Sequence, residues 1–196
     1  MEARLFPEGT IPECATPAWY AGRERAPHVD QPLHQGRLEW AAQFVRRAAL
    51  TMQLRTVSDL GAGDGGLLQL LADDDLECWG YDLQQSNVDG AIERGVDVTL
   101  ADIFTDYITF GQIVVATEMI EHLVDPHGFV KALFDKSQVK ALVASSPFTE
   151  TAESHYEHHL WAWDCQGYTQ MVEAAGWRVE TLRTVSMFQV VLAVRP

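Results

Sequence analysis

From residue 56 onward the chain alternates short apolar runs with helical stretches, and this alternation restricts its fold more than any other feature. Runs over residues 56–60, 77–81, 96–100, 113–116 and 141–144 are interleaved with helix-like segments over 67–71, 88–94 and 129–134. Parallel strands need a crossover of a dozen or more residues, usually a helix, so the order predicts a mostly parallel sheet with helices on both faces. The end departs from the pattern. A helix over 167–175 stops at Gly176, and the strand-like runs 178–185 and 188–194 lie too close together for a crossover, so they must pair antiparallel. The expected class is α/β, a single Rossmann-like domain.

The N-terminal part reads differently. Five of the eight prolines, Pro7, Pro12, Pro17, Pro27 and Pro32, fall in the first 32 residues. That density predicts an extended, irregular arm over 1–32, either a loose leader or a lid, in which Trp19 and Tyr20 are placed to close over a site. The domain proper is expected over 33–196. It opens with a helix whose apolar face carries Leu38, Ala41, Ala42, Val45 and Ala49.

Charge and cysteine usage narrow the function classes. With 28 Asp and Glu against 14 Lys and Arg, the net charge of −14 disfavours nucleic acid as a partner and favours a small-molecule one. Cys14, Cys78 and Cys165 form no C-x-x-C pair, which fits a reducing, cytoplasmic location. No apolar run approaches the roughly 20 residues of a membrane helix, and no export signal opens the chain. Oligomeric state is left open.

After the first strand of the alternation comes Asp59-Leu60-Gly61-Ala62-Gly63-Asp64-Gly65-Gly66, running directly into a helix. Glycines permit a tight turn there and let backbone amides approach a ligand at a helix N-terminus. Such a loop alone is weak evidence. The next strand ends in Asp82, about 20 residues on, where a ribose diol would lie. The third ends in Asp102-Ile103, an acid and an apolar side chain at the same sheet edge, suited to an adenine amino group and ring.

In the order and spacing of DLGAGDGG, GYDL, ADIF and EMIEHLVDP, residues 33–196 resemble the class I S-adenosylmethionine-dependent methyltransferases. The resemblance implies a seven-stranded sheet of order 3-2-1-4-5-7-6. It also implies that Gly61, Ala62 and Gly63 shape the methionine end of the pocket, that Asp59 holds the ammonium through water, and that Asp82 takes the ribose with Leu83 beside it. Asp102 and Ile103 would then meet adenine, and Thr117 and Glu118 would line the floor. A nicotinamide-dependent oxidoreductase shares the loop and the ribose acid but usually adds a substrate domain. A nucleotide-binding pseudoenzyme is the third reading.

The segment Thr117-Glu118-Met119-Ile120-Glu121-His122 follows the fourth strand, and residues three and four apart share a helix face. Glu118, Glu121 and His122 therefore form a candidate divalent-metal set with a later histidine, His159. Comparable E-x-x-E-H segments belong to ubiquinone-pathway O-methyltransferases and, less closely, to small-RNA 2′-O-methyltransferases, so 2′-O-methylation of a nucleic-acid end is the runner-up. Four of the seven histidines lie in this segment and in 154–161. His122, His155, His158 and His159, with Glu118, are the candidates for removing a proton from the methyl acceptor.

Overall fold

The computed structural model describes residues 1–25 and 27–196. Strand β1 (Glu2–Arg4) lies in the arm and pairs with β7 (Trp161–Trp163). The remaining strands, β2 (Thr56–Leu60), β3 (Glu77–Asp82), β4 (Val98–Leu100), β5 (Ile113–Thr117), β6 (Ala141–Pro147), β8 (Arg178–Val185) and β9 (Phe188–Val194), form one seven-stranded sheet. Its order is β4-β3-β2-β5-β6-β9-β8, the expected 3-2-1-4-5-7-6 when its own strands are counted. Strands β2 to β6 are parallel to one another, whereas β9 runs antiparallel to both β6 and β8.

Period-two alternation buries both faces of this sheet. In β5, Ile113 and Val115 face the helix α2 (Pro32–Met52), whose Leu38, Ala41, Val45 and Ala48 recur at helical spacing. Val114 and Ala116 face the opposite layer, where α5 (Pro126–Asp135) and α6 (Cys165–Ala174) supply Val130, Leu133, Met171 and Val172. Val115 is 0% exposed. Each such side chain contributes roughly 1.5–3 kcal/mol, so a charge at Val115 would break the central layer. The helices α3 (Gly66–Leu70) and α4 (Gln85–Arg94) complete the crossovers on the β2–β3–β4 side.

The arm differs from the irregular leader expected of its prolines. Pro17 is the first residue of α1 (Pro17–Ala21), capped by Thr16, and Pro32 is the first residue of α2. A missing N–H costs nothing in a first helical turn, where the amides have no intrahelical acceptor, so these prolines start helices. Upstream, Trp163 Nε1 donates to Glu2 Oε2 at 2.8 Å and the Met1 ammonium bonds Asp164, the N-cap of α6. Phe6 is 9% exposed. Residues 1–6 are packed structure. No helix among the described residues is long and apolar enough to cross a membrane.

Candidate active site

A cavity of about 830 Å³ opens along the carboxyl ends of β2 to β6, a size typical of a small-ligand site. Asp59, Gly61, Ala62, Gly63, Asp82, Leu83, Asp102, Ile103, Thr117 and Glu118 all line it. The sheet brings them together because β2, β3, β4 and β5 are parallel neighbours that end at one edge. Gly61 and Gly63 have φ of 71° and 58°, left-handed values that favour glycine. At Gly61 a Cβ would also meet the Met119 side chain at 3.0 Å.

Asp82 is held firmly. Its Oδ2 accepts from Gly63 N at 2.8 Å, and its Oδ1 accepts from Gln84 N at 2.8 Å and Asn87 Nδ2 at 3.0 Å. Burial pushes its carboxyl up, and these donors pull it back. Asp102 caps a local turn, its Oδ1 accepting from Phe104 N at 2.9 Å. Asp59 stands in contrast: it is 1% exposed, its Oδ1 has no partner, and burial raises its pKa to about 8. A buried acid without a donor is costly, so its surroundings suit a cationic ligand.

The E-x-x-E-H segment does not form the helical turn expected of it. Glu118 has φ of 53°, and only Ile120–His122 make a single 3₁₀ turn. The backbone at Glu118 is left-handed, and its Oε1 accepts from Ser145 Oγ at 2.8 Å. The residues that do converge are Glu121, His122 and His159, each offering one ligand atom within 4.8 Å of the others. Glu121 is 0% exposed and neither carboxylate oxygen has a partner. Burial drives its pKa well up, and Glu118 adds to that.

Both imidazoles are fixed in tautomer. His122 Nδ1 donates to His158 O at 3.1 Å, and burial lowers its pKa to about 3, leaving a neutral ring whose Nε2 is free. His159 Nδ1 donates to Glu150 Oε2 at 2.6 Å, so its Nε2 is likewise the free atom. The other two candidate histidines lie elsewhere: exposed His155 bonds Thr151 O, His158 packs on Trp19, and neither lines the cavity.

Three contributors escaped the sequence reading. Arg37, in α2, is 1% exposed, lines the cavity and has no partner at Nε or Nη1. Its Nη2 donates weakly to His28 Nδ1 at 3.4 Å and His34 Nδ1 at 3.3 Å, whose pKa values burial lowers to about 3 and about 4. The signal was available, since an arginine four residues before Ala41 sits on the helix's apolar face. Glu150, 8% exposed, carried no local signal. Asp64 of the glycine loop, 2% exposed, binds the arm: its Oδ2 accepts from Arg25 Nε at 3.0 Å and from Arg94 Nη2 at 2.7 Å, while Arg94 Nη2 also reaches Asp30 Oδ2 at 2.5 Å.

Residues 33–182 match the family described as the methyltransferase domain. The Ubiquinone biosynthesis O-methyltransferase of Bordetella avium is 32% identical over 114 residues, an alignment that covers 54% of this chain and 44% of that protein. The chain thus spans less than half the length of that relative. Among solved structures, magnesium protoporphyrin IX methyltransferase from Synechocystis PCC 6803 with bound SAH superposes with a TM-score of 0.66 at 14% identity, covering 90% of this chain and 91% of that one. Human N-acetylserotonin methyltransferase in complex with SAM gives a TM-score of 0.59 at 13% identity, over 81% of this chain and 55% of that one. At these identities the likeness is one of fold.

Proposed function

Because the chain belongs to the class I S-adenosylmethionine-dependent methyltransferase family, we propose that it transfers the donor's methyl group to an oxygen or nitrogen nucleophile on a small molecule. One observation carries the reading: Asp59, whose buried Oδ1 has no partner among the described residues, and Arg37, whose buried Nε and Nη1 have none, line the same cavity. An amino-acid zwitterion is the ligand that satisfies both, its ammonium toward Asp59 and its carboxylate toward Arg37. Asp82 then takes the ribose, Leu83 lies beside it, and Asp102 and Ile103 flank the adenine. A cavity partly walled by the arm, in a chain of net charge −14, supports a small acceptor over a nucleic-acid end.

The chemistry is in-line displacement. A lone pair of the acceptor attacks the methyl carbon, the carbon–sulfur bond breaks, its electrons stay on sulfur, and S-adenosylhomocysteine leaves. The acceptor's proton goes to His159 Nε2, which Glu150 orients through the opposite ring nitrogen. Neutral His122, with its low pKa, is the poorer base. Positioning supplies most of the remaining acceleration.

Glu121, His122 and His159 also fit a divalent metal, since both Glu121 oxygens are orphaned and the two free imidazole nitrogens are neutral ligands. With such an ion in place His159 Nε2 would be a ligand and not the base, and the ion would instead lower the pKa of an acceptor hydroxyl so that its proton passes to solvent. Glu118, bonded to Ser145, stands outside this set. Calorimetry with S-adenosylhomocysteine and NADH tests the donor: only the first should bind, at micromolar scale, and tight NADH binding would turn the assignment to an oxidoreductase. Elemental analysis tests the metal, with about one ion per chain expected in the wild type and none in Glu121→Gln; a metal-free wild type whose activity ignores chelators removes it.

A further inference from the structure

Among the described residues two arginines line the cavity, Arg23 and Arg37, and neither has a carboxylate within ion-pair distance. Arg37 serves the donor in the reading above. Arg23 lies beside the histidine cluster: its guanidinium stacks over Trp19 at 4.7 Å and over Tyr20 at 5.9 Å, while Tyr20 packs edge-on against His122 at 5.8 Å and Trp19 against His158 at 4.4 Å. We propose that Arg23 recognises an anionic group, a carboxylate or a phosphate, on the methyl acceptor. The proposal rests on the methyl-transfer reading for the word acceptor, and on its own geometry for the charge.

The contrast with Arg25, two residues on, is informative. Arg25 gives its donors to buried Asp64 and, through Nη1 at 2.6 Å, to Glu93, so its charge is consumed in holding the arm down. Among the described residues Arg23 gives its guanidinium to no oxygen, in a chain with 28 acids and 14 bases. Its main chain is nonetheless fixed, because Arg23 N donates to Tyr20 O at 3.1 Å and Ser86 Oγ donates to Arg23 O at 3.1 Å. A guanidinium laid on aromatic faces keeps its in-plane N–H edge for a carboxylate or phosphate. Stacking holds the group without spending its donors. A local cation is also what an anion entering a protein of charge −14 requires.

Contact supports the placement. The Arg23 guanidinium lies over Tyr20, Tyr20 packs edge-on against His122, and Tyr20, whose buried hydroxyl has no partner among the described residues, presents a donor beside it.

The test is calorimetry on the full chain, with and without S-adenosylhomocysteine, using benzoate, phenyl phosphate, benzamide and benzylamine as probes. At least one anion is expected to bind about tenfold or more tightly than neutral benzamide, the value of a charge-assisted hydrogen bond. The ratio of benzoate to phenyl phosphate then distinguishes carboxylate from phosphate. Arg23→Gln is expected to erase the selectivity while S-adenosylhomocysteine affinity and melting temperature hold, and Arg23→Lys to keep part of it. Benzamide or benzylamine binding as tightly as the anions overturns the proposal, as does failure of both anions to bind at millimolar concentration, or selectivity that survives Arg23→Gln. A fall in S-adenosylhomocysteine affinity in Arg23→Gln overturns it by giving Arg23 to the donor. Failure of the wild type to bind S-adenosylhomocysteine sinks the donor assignment instead, and the donor-free titrations still read the selectivity.

Discussion

The two ends of the cavity are built by different rules. At the donor end, Asp82 is met by three donors from residues within about one strand and turn of it, Gly63, Gln84 and Asn87. At the acceptor end, Glu121, His122, His159, Glu150 and Tyr20 come from the 3₁₀ turn, the segment before β7 and the arm, and several of their polar atoms have no partner. Satisfied polar groups rigidify a site, whereas buried unsatisfied ones are costly until a ligand arrives. The ribose side of the donor end is thus preorganised by the chain itself, whereas the acceptor end, like Asp59 and Arg37, is completed by what it binds.

Three measurements press on that contrast. The largest effect is expected from Asp82→Ala, which removes the proposed ribose acceptors and strands three donors: S-adenosylhomocysteine affinity should fall roughly 100-fold or more, at about 1.5–3 kcal/mol per charged hydrogen bond. Calorimetry giving unchanged affinity would detach Asp82 from the donor. Next is removal of residues 1–6, which strips β7 of its partner and Trp163 of its Glu2 acceptor. A loss of about 2–4 kcal/mol, or roughly 5–10 °C in melting temperature, is expected with donor affinity nearly intact; an unshifted melting curve would make the arm peripheral to folding.

The third measurement is a pH dependence. Folded Asp59 keeps its proton up to about pH 8, while the unfolded carboxyl releases it near 3.8. Its contribution to stability is therefore full below the unfolded value and lost as pH rises through about 8. Asp59→Asn has no such titration, so the melting temperature of the variant minus that of the wild type should rise between pH 5 and pH 9. Histidines with lowered pKa act in the opposite sense but equally in both proteins, and cancel. A difference that stays flat would mean that Asp59 is ionised in the fold.

The same contrast governs what could be read in the sequence. Donor-end residues follow strands recognisable by apolar runs, so position along the chain fixes their place at the sheet edge: Gly61, Asp82 and Ile103 were legible for this reason. The acceptor end depends on relations that local pattern does not encode. Glu118, with left-handed backbone and its carboxylate bonded to Ser145, stands outside the set its spacing suggested. Glu150 becomes meaningful only when the chain folds back to set it against His159. Prolines in the arm were read for what they prevent, and Pro17 and Pro32 instead begin helices. Arg37 was the one legible feature passed over, a charge among apolar helix positions.

The arm is also a wall of the cavity, through Ala15, Pro17, Tyr20, Arg23, Glu24 and His28. If this wall, clasped to the donor loop by Arg25 and Asp64, has to lift before the spent donor departs, product release is a conformational step. The tempo of the reaction would then be set by unclasping and not by bond making. Rapid-quench sampling of the first turnover is expected to show about one equivalent of product formed ahead of a slower steady rate. A time course linear from its first instant would mean that bond making or a step before it, and not unclasping, limits the rate.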